Sequence, residues 1–320
     1  MMHDTLGRRI DYVRISVTDL CNLRCIYCMP EEGIVKKDHA TILTFEEIFR
    51  VVKILVSLGV QKIRLTGGEP LVRHNFPELV KMIAPLHGLQ ELTVTTNGIL
   101  LAKMAVQLKE FGLHRVNISI DTLRNDRFHT ITRAGNLQDT LTGLYAAIDA
   151  GLTPVKVNTV IMNGINSDEV CDFAEMAIRY GLEWRFIEFM PLAGVQGLQE
   201  ERFYANEQVQ KDLSAHYTLV PDEDSRSLVS HTYRIKGTNA RIGFISPMSH
   251  KFCYRCTRLR ITSDGIITPC LMHSDSFDVR TLLRNGGSDD DIRALIANAV
   301  DAKPKEHLGT GVNTMHSLGG

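Results

Sequence analysis

Strand-length apolar runs alternate with helix-like segments through the first two thirds of this chain. Such alternation predicts a parallel sheet whose strands are joined by right-handed helical crossovers. In that architecture functional residues gather at the carboxyl ends of the strands. Because six strand–helix units fall short of the eight in a closed barrel, we expect an α/β fold with an incomplete (β/α)6 TIM-like barrel. The six strand candidates are 12–17, 62–66, 92–95, 116–120, 155–161 and 184–189.

Four helical segments between these strands are marked by their end signals. The first, 44–58, opens with a capping box formed by Thr44 and Glu47 and is followed by Gly59. The other three also end at a glycine, which is a frequent stop for a helix. They are 100–111 before Gly112, 137–150 before Gly151 and 168–180 before Gly181.

The last third of the chain is organised differently. Residues 191–224 are polar and poorly patterned, which predicts a connection. Short strand-like stretches follow, with an Asp264-Gly265 turn that favours a hairpin, and two helical segments come after them. We therefore predict a partial-barrel domain at 1–224 and a small α+β module at 225–320 that closes the open barrel. The strand-like stretches are 228–235, 241–246 and 258–262, and the helical segments are 279–284 and 289–302.

Three cysteines follow the first predicted strand with the spacing Cys-x3-Cys-x2-Cys, at Cys21, Cys25 and Cys28. Thiolates are natural ligands of iron–sulfur clusters, and a four-iron cluster held by three protein sulfurs leaves one iron open to a small molecule. A three-cysteine zinc loop completed by a distant histidine, or chance clustering, is the alternative. The loop is similar to the cluster loop of radical S-adenosylmethionine (radical SAM) enzymes, in which an aromatic residue usually precedes the third cysteine, as Tyr27 does here.

A second group of three cysteines, Cys253, Cys256 and Cys270, lies in the predicted module. A structural zinc site with His250 or His273 as fourth ligand would use the same spacing. Because the chain already carries one three-cysteine cluster loop, we expect a second cluster that faces the first. Arg258 and Arg260 follow Cys256 and alternate onto one face of a strand, where guanidinium groups suit phosphate or nucleobase contacts.

Composition limits the classes of partner. The 320 residues have a net charge of −1 and are 44% apolar, which argues for neither a nucleic-acid surface nor a polyacidic partner. We find no signal peptide and no apolar run long enough to cross a bilayer, so we expect a cytoplasmic protein without a membrane partner. The odd number of cysteines, seven, suits thiolate ligation in a reducing compartment. Any anionic ligand must be met by local basic residues.

Across nearly its whole length the chain resembles the GTP 3′,8-cyclase family, the radical SAM enzymes that open molybdenum cofactor biosynthesis. The second cysteine group and the diglycine end distinguish this family within a large superfamily. The matching motifs are Cys21-x3-Cys25-x2-Cys28, Arg64-Leu-Thr-Gly67-Gly68-Glu69-Pro70, Thr95-Thr96-Asn97-Gly98, Asn117-Ile-Ser119-Ile-Asp121, Cys253-x2-Cys256-x13-Cys270 and Gly319-Gly320.

The resemblance implies a fold, cofactors and a reaction. The family fold is an incomplete (β/α)6 barrel closed by a C-terminal module, and the cofactors are two [4Fe-4S] clusters and SAM. The first cluster cleaves SAM to a 5′-deoxyadenosyl radical, and the second holds the guanine of GTP. The radical removes the 3′ hydrogen of GTP, and C3′ then attacks C8 to give (8S)-3′,8-cyclo-7,8-dihydroguanosine 5′-triphosphate.

Residue roles are carried over by the same resemblance. The SAM amine is placed against the Gly67-Gly68-Glu69 turn, and the diglycine end, Gly319-Gly320, reaches into the active site. Cys21, Cys25 and Cys28 ligate the SAM-binding cluster and, with Arg258 and Arg260, form the predicted catalytic set; Cys253, Cys256 and Cys270 ligate the substrate-binding cluster; Tyr27, Gly68, Ser119 and Met190 bind SAM; and Arg14, Arg64, Thr95, Lys156, Arg258, Leu259 and Arg260 bind GTP.

The resemblance also implies partners. These are GTP as substrate, a reductant such as flavodoxin or ferredoxin, and cyclic pyranopterin monophosphate synthase as the consumer of the product; a homodimer is compatible with it. One alternative is another two-cluster radical SAM enzyme, such as a peptide-modifying maturase, although those usually carry a more cysteine-rich module. A non-catalytic iron–sulfur sensor is a second alternative, and it would need neither the glycine-flanked SAM site nor the inward arginines.

Overall fold

A computed structural model describes residues 1–190, 201–225 and 227–307 of the chain. The strands in these residues are β1 (Met2–His3), β2 (Arg9–Ile10), β3 (Tyr12–Ser16), β4 (Lys62–Thr66), β5 (Glu91–Thr96), β6 (Arg115–Ser119), β7 (Lys156–Ile161), β8 (Glu183–Glu188), β9 (Leu219–Pro221), β10 (His231–Ile235), β11 (Arg241–Ile245), β12 (Arg258–Ile261), β13 (Ile266–Thr268) and β14 (Phe277–Asp278). The helices are α1 (Phe45–Ser57), α2 (Phe76–Ile83), α3 (Ala105–Glu110), α4 (Asn125–Thr132), α5 (Leu137–Asp149), α6 (Val170–Tyr180), α7 (Asn206–Ser214), α8 (Val279–Arg284) and α9 (Asp289–Asp301).

Six parallel strands, β3 to β8, form the centre of the fold in chain order. Every one of them matches a predicted strand to within a residue at each end. The incomplete (β/α)6 barrel expected from the sequence is therefore confirmed. In the described residues the sheet continues at both ends, so its full order is β14-β13-β12-β3-β4-β5-β6-β7-β8-β11-β10-β9.

Strands from the C-terminal part supply the outer partners of the barrel. β12 pairs in parallel with β3, and β11 pairs in parallel with β8. Beyond them, β13 and β14 on one side and β10 and β9 on the other continue the sheet in antiparallel fashion. The Asp264-Gly265 turn joins β12 to β13 as predicted, with Gly265 at a φ of +80°. The sheet runs without interruption through the domain boundary that we predict between 224 and 225, and this boundary stays a prediction.

Alternation along each strand separates core from site. Neighbouring positions of a strand point to opposite faces, and here Val13, Ile15, Ile63 and Leu65 are fully buried against the helices. The residues between them are polar or charged and line a cavity on the other face of the sheet. One face therefore holds the fold together, and the other carries the chemistry.

Helix prediction was correct where end signals are strong. The capping box of α1 is present, with Thr44 and Glu47 bonded to each other's backbone. The predicted helix 100–111 is shorter, because a 3-10 turn at Leu101–Lys103 precedes α3 and Met104 leaves the helical conformation between them. No helix of the described residues is long and apolar enough to cross a membrane.

The prediction of a mere connection at 191–224 was wrong for its described part. That part contains α7 and β9. α7 buries Val209 and Leu213, and the Asn206 side chain at its start donates to the carbonyl of Ile245, 2.9 Å away. The helix therefore depends on tertiary contacts that its mostly polar sequence does not reveal. Two further helices, α2 and α4, were also missed.

Candidate active site

A cavity of about 890 Å³ opens on the inner face of the sheet. All six parallel strands contribute to its wall, and so do β12 and the segment around Cys253. The residues at its carboxyl end include Ser119, Asp121 and Met190, which follow or end strands β6 and β8. This position agrees with the rule that parallel barrels carry their sites at the carboxyl ends of strands.

The first cysteine loop follows β3 and is fixed by backbone contacts to the end of α4. The amides of Arg24 and Ile26 donate to the carbonyls of Thr132 and Ile131, each at 2.9 Å. These two hydrogen bonds hold the loop against the end of α4.

The three thiols of this loop are free and lie close enough to affect each other's ionisation. Burial, aided by Asp121 and the two other thiols, raises the pKa of Cys25 well above its usual range. Burial, aided by Cys21 and Asp121, raises the pKa of Cys28 to about 12. A thiol with a raised pKa keeps its proton at neutral pH, and it loses that proton when it binds a metal cluster as a thiolate. Three free neighbouring thiols are the donor set that a four-iron cluster with one open iron requires, so these residues fit the group.

A glycine turn after β4 lies directly against the chain that leads into the first cysteine loop. A Cβ atom on Gly68 would lie 2.4 Å from the carbonyl oxygen of Leu20, so no other residue fits there. The amide of Gly68 donates to Thr18, and the amide of Glu69 donates to Leu20, both at 2.8 Å. The Gly67-Gly68-Glu69 motif and the cysteine motif are thus parts of one structural unit.

Glu69 is fully buried in this unit. Its carboxylate accepts hydrogen bonds from the Thr96 hydroxyl and the Asn97 amide, both at 2.7 Å, and from the Leu71 amide at 3.0 Å. Burial raises the pKa of Glu69 to about 7, although these hydrogen bonds oppose the shift. A buried carboxylate beside a cysteine loop suits a cationic group such as an ammonium.

Three of the other predicted SAM residues, Tyr27, Ser119 and Met190, line the cavity. The Tyr27 hydroxyl donates to Asp121 at 2.5 Å, which ties the cysteine loop to the end of β6. Burial raises the pKa of Asp121 to about 6. Among the described cavity residues, Gly68 and the cysteines of the first loop do not appear, so Tyr27 is the part of that loop that reaches the wall.

The second cysteine loop lies on the cavity wall itself, since Cys253, Cys256 and Cys270 all line it. Burial alone would raise the pKa of Cys256, but Lys303 and Arg258 outweigh it and hold the pKa below its usual value. The Lys303 ammonium donates to the carbonyls of Arg258 and Pro269, both at 2.8 Å. Arg258 lies two residues after Cys256, and Pro269 directly precedes Cys270.

Arg8 holds the same loop from the N-terminal side. Its guanidinium pairs with Asp4 at 2.5 Å in a buried contact. It also donates to the carbonyl of Cys253 at 2.9 Å and to that of Pro304 at 2.8 Å. Neither Arg8 nor Lys303 was identified from the sequence, because both lie far from the cysteines along the chain.

The zinc alternative for this loop requires four ligands that converge on one ion. No three or more His, Cys, Asp or Glu side chains in residues 1–190, 201–225 and 227–307 are grouped so that they could hold a metal ion. His250, one of the two histidines considered, lies 2.8 Å from Glu207, and His273 lies 3.2 Å from Asp275. A four-iron cluster places its cysteines on different irons, so it does not require convergence on one point.

Cationic side chains dominate the inner face of the sheet. Strand register puts Arg260, Arg14 and Arg64 side by side, since Arg260 pairs with Arg14 and Arg14 pairs with Arg64. The five cations predicted from the sequence all line the cavity, and four more were missed. The nine are Arg14, Lys62, Arg64, Arg115, Lys156, Arg185, Arg241, Arg258 and Arg260. Lys62, Arg115 and Arg185 each lie two residues from a predicted or polar position on the same strand, and this spacing was the signal that could have identified them.

Three carboxylates neutralise part of this charge, and one of them, Asp222, pairs with Arg241 at 2.8 Å. Glu91 accepts from Lys62 at 2.6 Å and from Arg115 at 2.5 Å. Glu183 accepts from Lys156 at 2.7 Å and from Arg185. Burial would raise the pKa of Glu91, but Arg115 and Lys62 lower it to about 2.

Lys156 is affected in the opposite direction. Burial and the neighbouring Arg185 lower its pKa to about 7, although Glu183 opposes the shift. The charge on this ammonium is therefore sensitive to pH near neutrality.

Two predicted GTP residues differ in placement. The Thr95 hydroxyl lines the cavity and is buried without a hydrogen-bond partner in the described structure, so it is available to a ligand. The Leu259 side chain belongs to the hydrophobic core and does not line the cavity among the described residues. Any contact of Leu259 with a nucleotide must come from its backbone. The predicted Gly319-Gly320 end lies outside the described residues.

Comparison with known proteins places the chain in a family. Residues 15–177 match the Radical SAM superfamily, and residues 182–309 match Molybdenum Cofactor Synthesis C. The chain is 44% identical to the GTP 3',8-cyclase of Alkaliphilus metalliredigens over 306 residues, which cover 96% of this chain and 94% of that protein. It is 46% identical to the GTP 3',8-cyclase of Moorella thermoacetica over 307 residues, which cover 96% and 95% of the two chains.

Solved structures show the same fold at low sequence identity. Streptococcus suis SuiB bound to S-adenosylmethionine is 15% identical, with a TM-score of 0.63, over 89% of this chain and 68% of that one. Radical SAM membership brings a [4Fe-4S] cluster and SAM as cofactors. Because the identity with curated relatives extends over almost the whole of both chains, this chain belongs to the GTP 3′,8-cyclase family of radical SAM enzymes.

Proposed function

We propose that this protein is a GTP 3′,8-cyclase, which converts GTP into (8S)-3′,8-cyclo-7,8-dihydroguanosine 5′-triphosphate in the first step of molybdenum cofactor biosynthesis. One observation carries the proposal. A single cavity joins nine cationic side chains, the second cysteine loop and three of the predicted SAM residues, Tyr27, Ser119 and Met190. The family relationship supplies the name of the reaction, and the cavity supplies a place where its two ligands can meet.

Charge supports a polyphosphate substrate. A triphosphate carries about four negative charges, and Arg and Lys side chains are its usual protein partners. The chain has a net charge of −1, yet the cavity wall holds nine cations against six carboxylates. Glu91, Glu183 and Asp222 pair with some of these cations, whereas Arg14, Arg64 and Arg258 form no ion pair with a carboxylate in the described residues. Arg14, Arg64, Lys156, Arg258 and Arg260 would bind the nucleotide, with the free Thr95 hydroxyl as a further donor.

The first cysteine loop supports the radical step. Cys21, Cys25 and Cys28 would hold the cluster, and the Gly68 turn with Glu69 would hold the SAM amine. Tyr27, Ser119 and Met190 would line the rest of the SAM site. When bound, the cluster and SAM supply the 5′-deoxyadenosyl radical that starts the reaction. The chain's own task is to orient the ribose 3′ carbon of GTP toward that radical and to exclude water.

The second cysteine loop would hold a second [4Fe-4S] cluster through Cys253, Cys256 and Cys270. Its place on the cavity wall, next to Arg258 and Arg260, would put the guanine beside it while the triphosphate lies along the cations. Arg258 and Arg260 would thus touch the substrate and count as catalytic residues. The diglycine end, Gly319-Gly320, lies outside the described residues, and its role in the active site stays a prediction.

The proposed partners follow from the reaction. Cleavage of SAM consumes an electron, so a reductant such as flavodoxin or ferredoxin is required. The cyclised nucleotide would pass to cyclic pyranopterin monophosphate synthase. We propose a cytoplasmic location, where the protein would meet both the reductant and the synthase. A homodimer is compatible with the chain.

Anaerobic metal analysis followed by an activity assay tests the proposal. The reconstituted protein is analysed for iron, sulfide and zinc, then incubated with SAM, a reductant and GTP. Roughly seven to eight irons and GTP-dependent 5′-deoxyadenosine, together with a cyclised nucleotide, are expected for two clusters.

Two other outcomes would redirect the proposal. About four irons plus one zinc, with SAM cleavage indifferent to GTP, would make the second loop structural and favour another radical SAM substrate. Absence of SAM cleavage in a fully loaded protein would favour a non-catalytic sensor. ATP in place of GTP is the matched control, because it carries the same triphosphate on a different base.

A further inference from the structure

Tyr12 lies at the centre of the cationic face. It is the first residue of β3, and its register partners are Lys62 on β4 and Arg258 on β12. It is only 8% exposed and lines the cavity. In the sequence it is marked only as the start of a strand, and the family motifs give it no role.

Four cations surround the Tyr12 ring. The guanidinium carbons of Arg14, Arg64 and Arg258 lie 5.7, 5.4 and 5.7 Å from the ring centroid. The Lys62 ammonium lies 5.8 Å from it. All four distances are within the range of an attractive cation–π contact. The Tyr12 hydroxyl also accepts a hydrogen bond from Arg14 Nε at 3.1 Å.

These arginines are neutralised differently from five other cavity cations. Lys62, Arg115, Lys156 and Arg185 pair with Glu91 or Glu183, and Arg241 pairs with Asp222. In the described part of the chain, Arg14, Arg64 and Arg258 form no ion pair with a carboxylate. Like charges held together in a buried wall need a compensating partner. The electron-rich ring of Tyr12 is the group they share.

We propose that Tyr12 is a positioning residue of the nucleotide site, which holds Arg14, Arg64 and Arg258 together while leaving their N–H groups free for a polyphosphate. A carboxylate in this place would occupy those N–H donors and compete with phosphate. A ring attracts the guanidinium through its face and leaves most of the in-plane donors unused. The inference rests on the proposed function, because it assumes that the cavity binds a nucleoside triphosphate.

The ionisation of Tyr12 agrees with this geometry. Burial alone would raise the pKa of the phenol, but Arg14, Arg64 and Arg258 lower it to about 7. The positive potential at the ring is therefore strong. Arg185 and Arg260 also interact electrostatically with Tyr12, so five arginines and one lysine act on this phenol.

Removal of the ring tests the role. Tyr12→Leu removes both ring and hydroxyl, Tyr12→Ile does the same with a side chain favoured in strands, and Tyr12→Phe keeps the ring. Binding of GTP and of inorganic tripolyphosphate to the reconstituted protein is measured by calorimetry, and SAM binding is measured in parallel. We expect Tyr12→Leu and Tyr12→Ile to weaken both phosphate ligands about tenfold or more, while Tyr12→Phe stays within about threefold of the original protein.

Kinetics separate positioning from structural damage. We expect KM for GTP to rise in Tyr12→Leu with kcat kept within about threefold, since the arginines act on binding more than on the chemical step. SAM affinity should not change. Tyr233→Leu is the matched control: Tyr233 packs against Phe244 in the core and does not line the cavity among the described residues, so it should leave phosphate binding unchanged.

Three results would overturn the inference. Unchanged tripolyphosphate binding in both Tyr12→Leu and Tyr12→Ile would show that the arginines need no ring. An equal fall in SAM and phosphate binding would make Tyr12 merely structural. Equal weakening in Tyr12→Phe and Tyr12→Leu would assign the role to the hydroxyl instead of the ring. If the unaltered protein binds tripolyphosphate but forms no cyclised nucleotide, the proposed function is wrong. The role of Tyr12 is then decided by tripolyphosphate binding in the Tyr12 variants alone.

Discussion

The first cysteine loop lies against carboxylates, whereas the second lies against cations. Asp121 and Glu69 contribute to the raised pKa values of Cys25 and Cys21. Around Cys256, Lys303 and Arg258 act in the opposite direction. The two loops therefore offer similar thiol sets in opposite electrostatic surroundings.

The difference matches the two proposed ligands. SAM carries a positive sulfonium and an ammonium, while GTP is a polyanion. Complementary charge attracts the correct ligand and disfavours the wrong one in each site. Two clusters of the same kind could therefore bind different molecules in one cavity. The difference would come from the side chains around the clusters, and the cysteine ligands would not have to differ.

The loops also differ in how they are held. The first is fixed by hydrogen bonds of its own backbone to α4, close to the cysteines. The second depends on Arg8 and Lys303, which come from near the two ends of the described chain. Damage at a distance should therefore affect the second loop more than the first.

The strongest test of this comparison removes one cysteine from each loop. We expect Cys21→Ser to abolish SAM cleavage, because the first cluster is required for it. Cys253→Ser should keep some uncoupled cleavage and lose cyclisation. The products 5′-deoxyadenosine and cyclised nucleotide are measured by chromatography.

Cys171→Ser, in α6 and outside both loops, is the control and should keep both activities. Equal loss of both activities in Cys253→Ser, with the first cluster spectroscopically intact, would contradict separate roles.

The next test removes a remote support of the second loop. Arg8→Ala leaves Asp4 buried without its partner and frees the carbonyls of Cys253 and Pro304. Breaking a buried ion pair costs about 3 to 5 kcal/mol of unfolding free energy. We expect that loss in urea unfolding, with iron lost from the second loop first.

An exposed pair provides the control for this prediction. Arg293 pairs with Asp290 on the surface of α9, and Arg293→Ala should cost less than about 1 kcal/mol. If Arg8→Ala kept full iron content at both loops, the remote support would be unnecessary and the comparison of the loops would need revision.

A third test addresses the acidic side of the first site. Glu69→Gln removes a charge and disturbs the hydrogen bonds from Thr96 and Asn97. Hydrogen bonds to charged groups contribute about 1.5 to 3 kcal/mol, so SAM affinity should fall about tenfold or more while GTP affinity is unchanged. Equilibrium binding measures both ligands. Glu169→Gln is the control, because Glu169 is equally buried but accepts hydrogen bonds from Thr122, Leu123 and Arg127. Unaltered SAM affinity in Glu69→Gln would show that this carboxylate does not contribute to SAM binding.

The smallest expected effect is a pH dependence on the cationic side. The pKa of Lys156 is lowered to about 7, so its ammonium loses the proton as pH rises through neutrality and attracts phosphate less. We expect kcat/KM for GTP, at saturating SAM, to fall about fivefold between pH 6 and pH 8. Lys156→Arg keeps its charge over this range and should flatten the profile. An identical slope in Lys156→Arg would assign the dependence to another group.

Local sequence signals predicted the parallel strands and the strongest helices. The six strands are marked by apolar alternation, and α1 by Thr44 and Glu47, all of which act within a few residues. α7 was missed because its stability comes from burying Val209 and Leu213 against distant elements. Such tertiary contributions leave little trace in a single sequence.

The site was predicted in part for a related reason. Cysteine spacing and the Arg258-Leu-Arg260 pattern are visible in the chain, so both loops and several cations were identified. Arg115 and Arg185 were missed because a single basic residue in a strand has no meaning until the register shows which face it occupies. Leu259 was included by its position in the motif, and its side chain turned out to face the core.

The two outer strands of the barrel pair with strands that come much later in the chain, and this order matters while the protein is being synthesised. β3 and β8 receive their outer neighbours from β12 and β11, which are made long after the barrel strands themselves. A ribosome that has released only the first 190 residues has therefore produced a sheet with two unpaired edges. Open edges invite pairing with other chains, and incomplete proteins are prone to aggregate through them. The edges of the barrel are therefore covered only after the last part of the chain has been made, and truncated messages should yield insoluble protein even when every barrel strand is present.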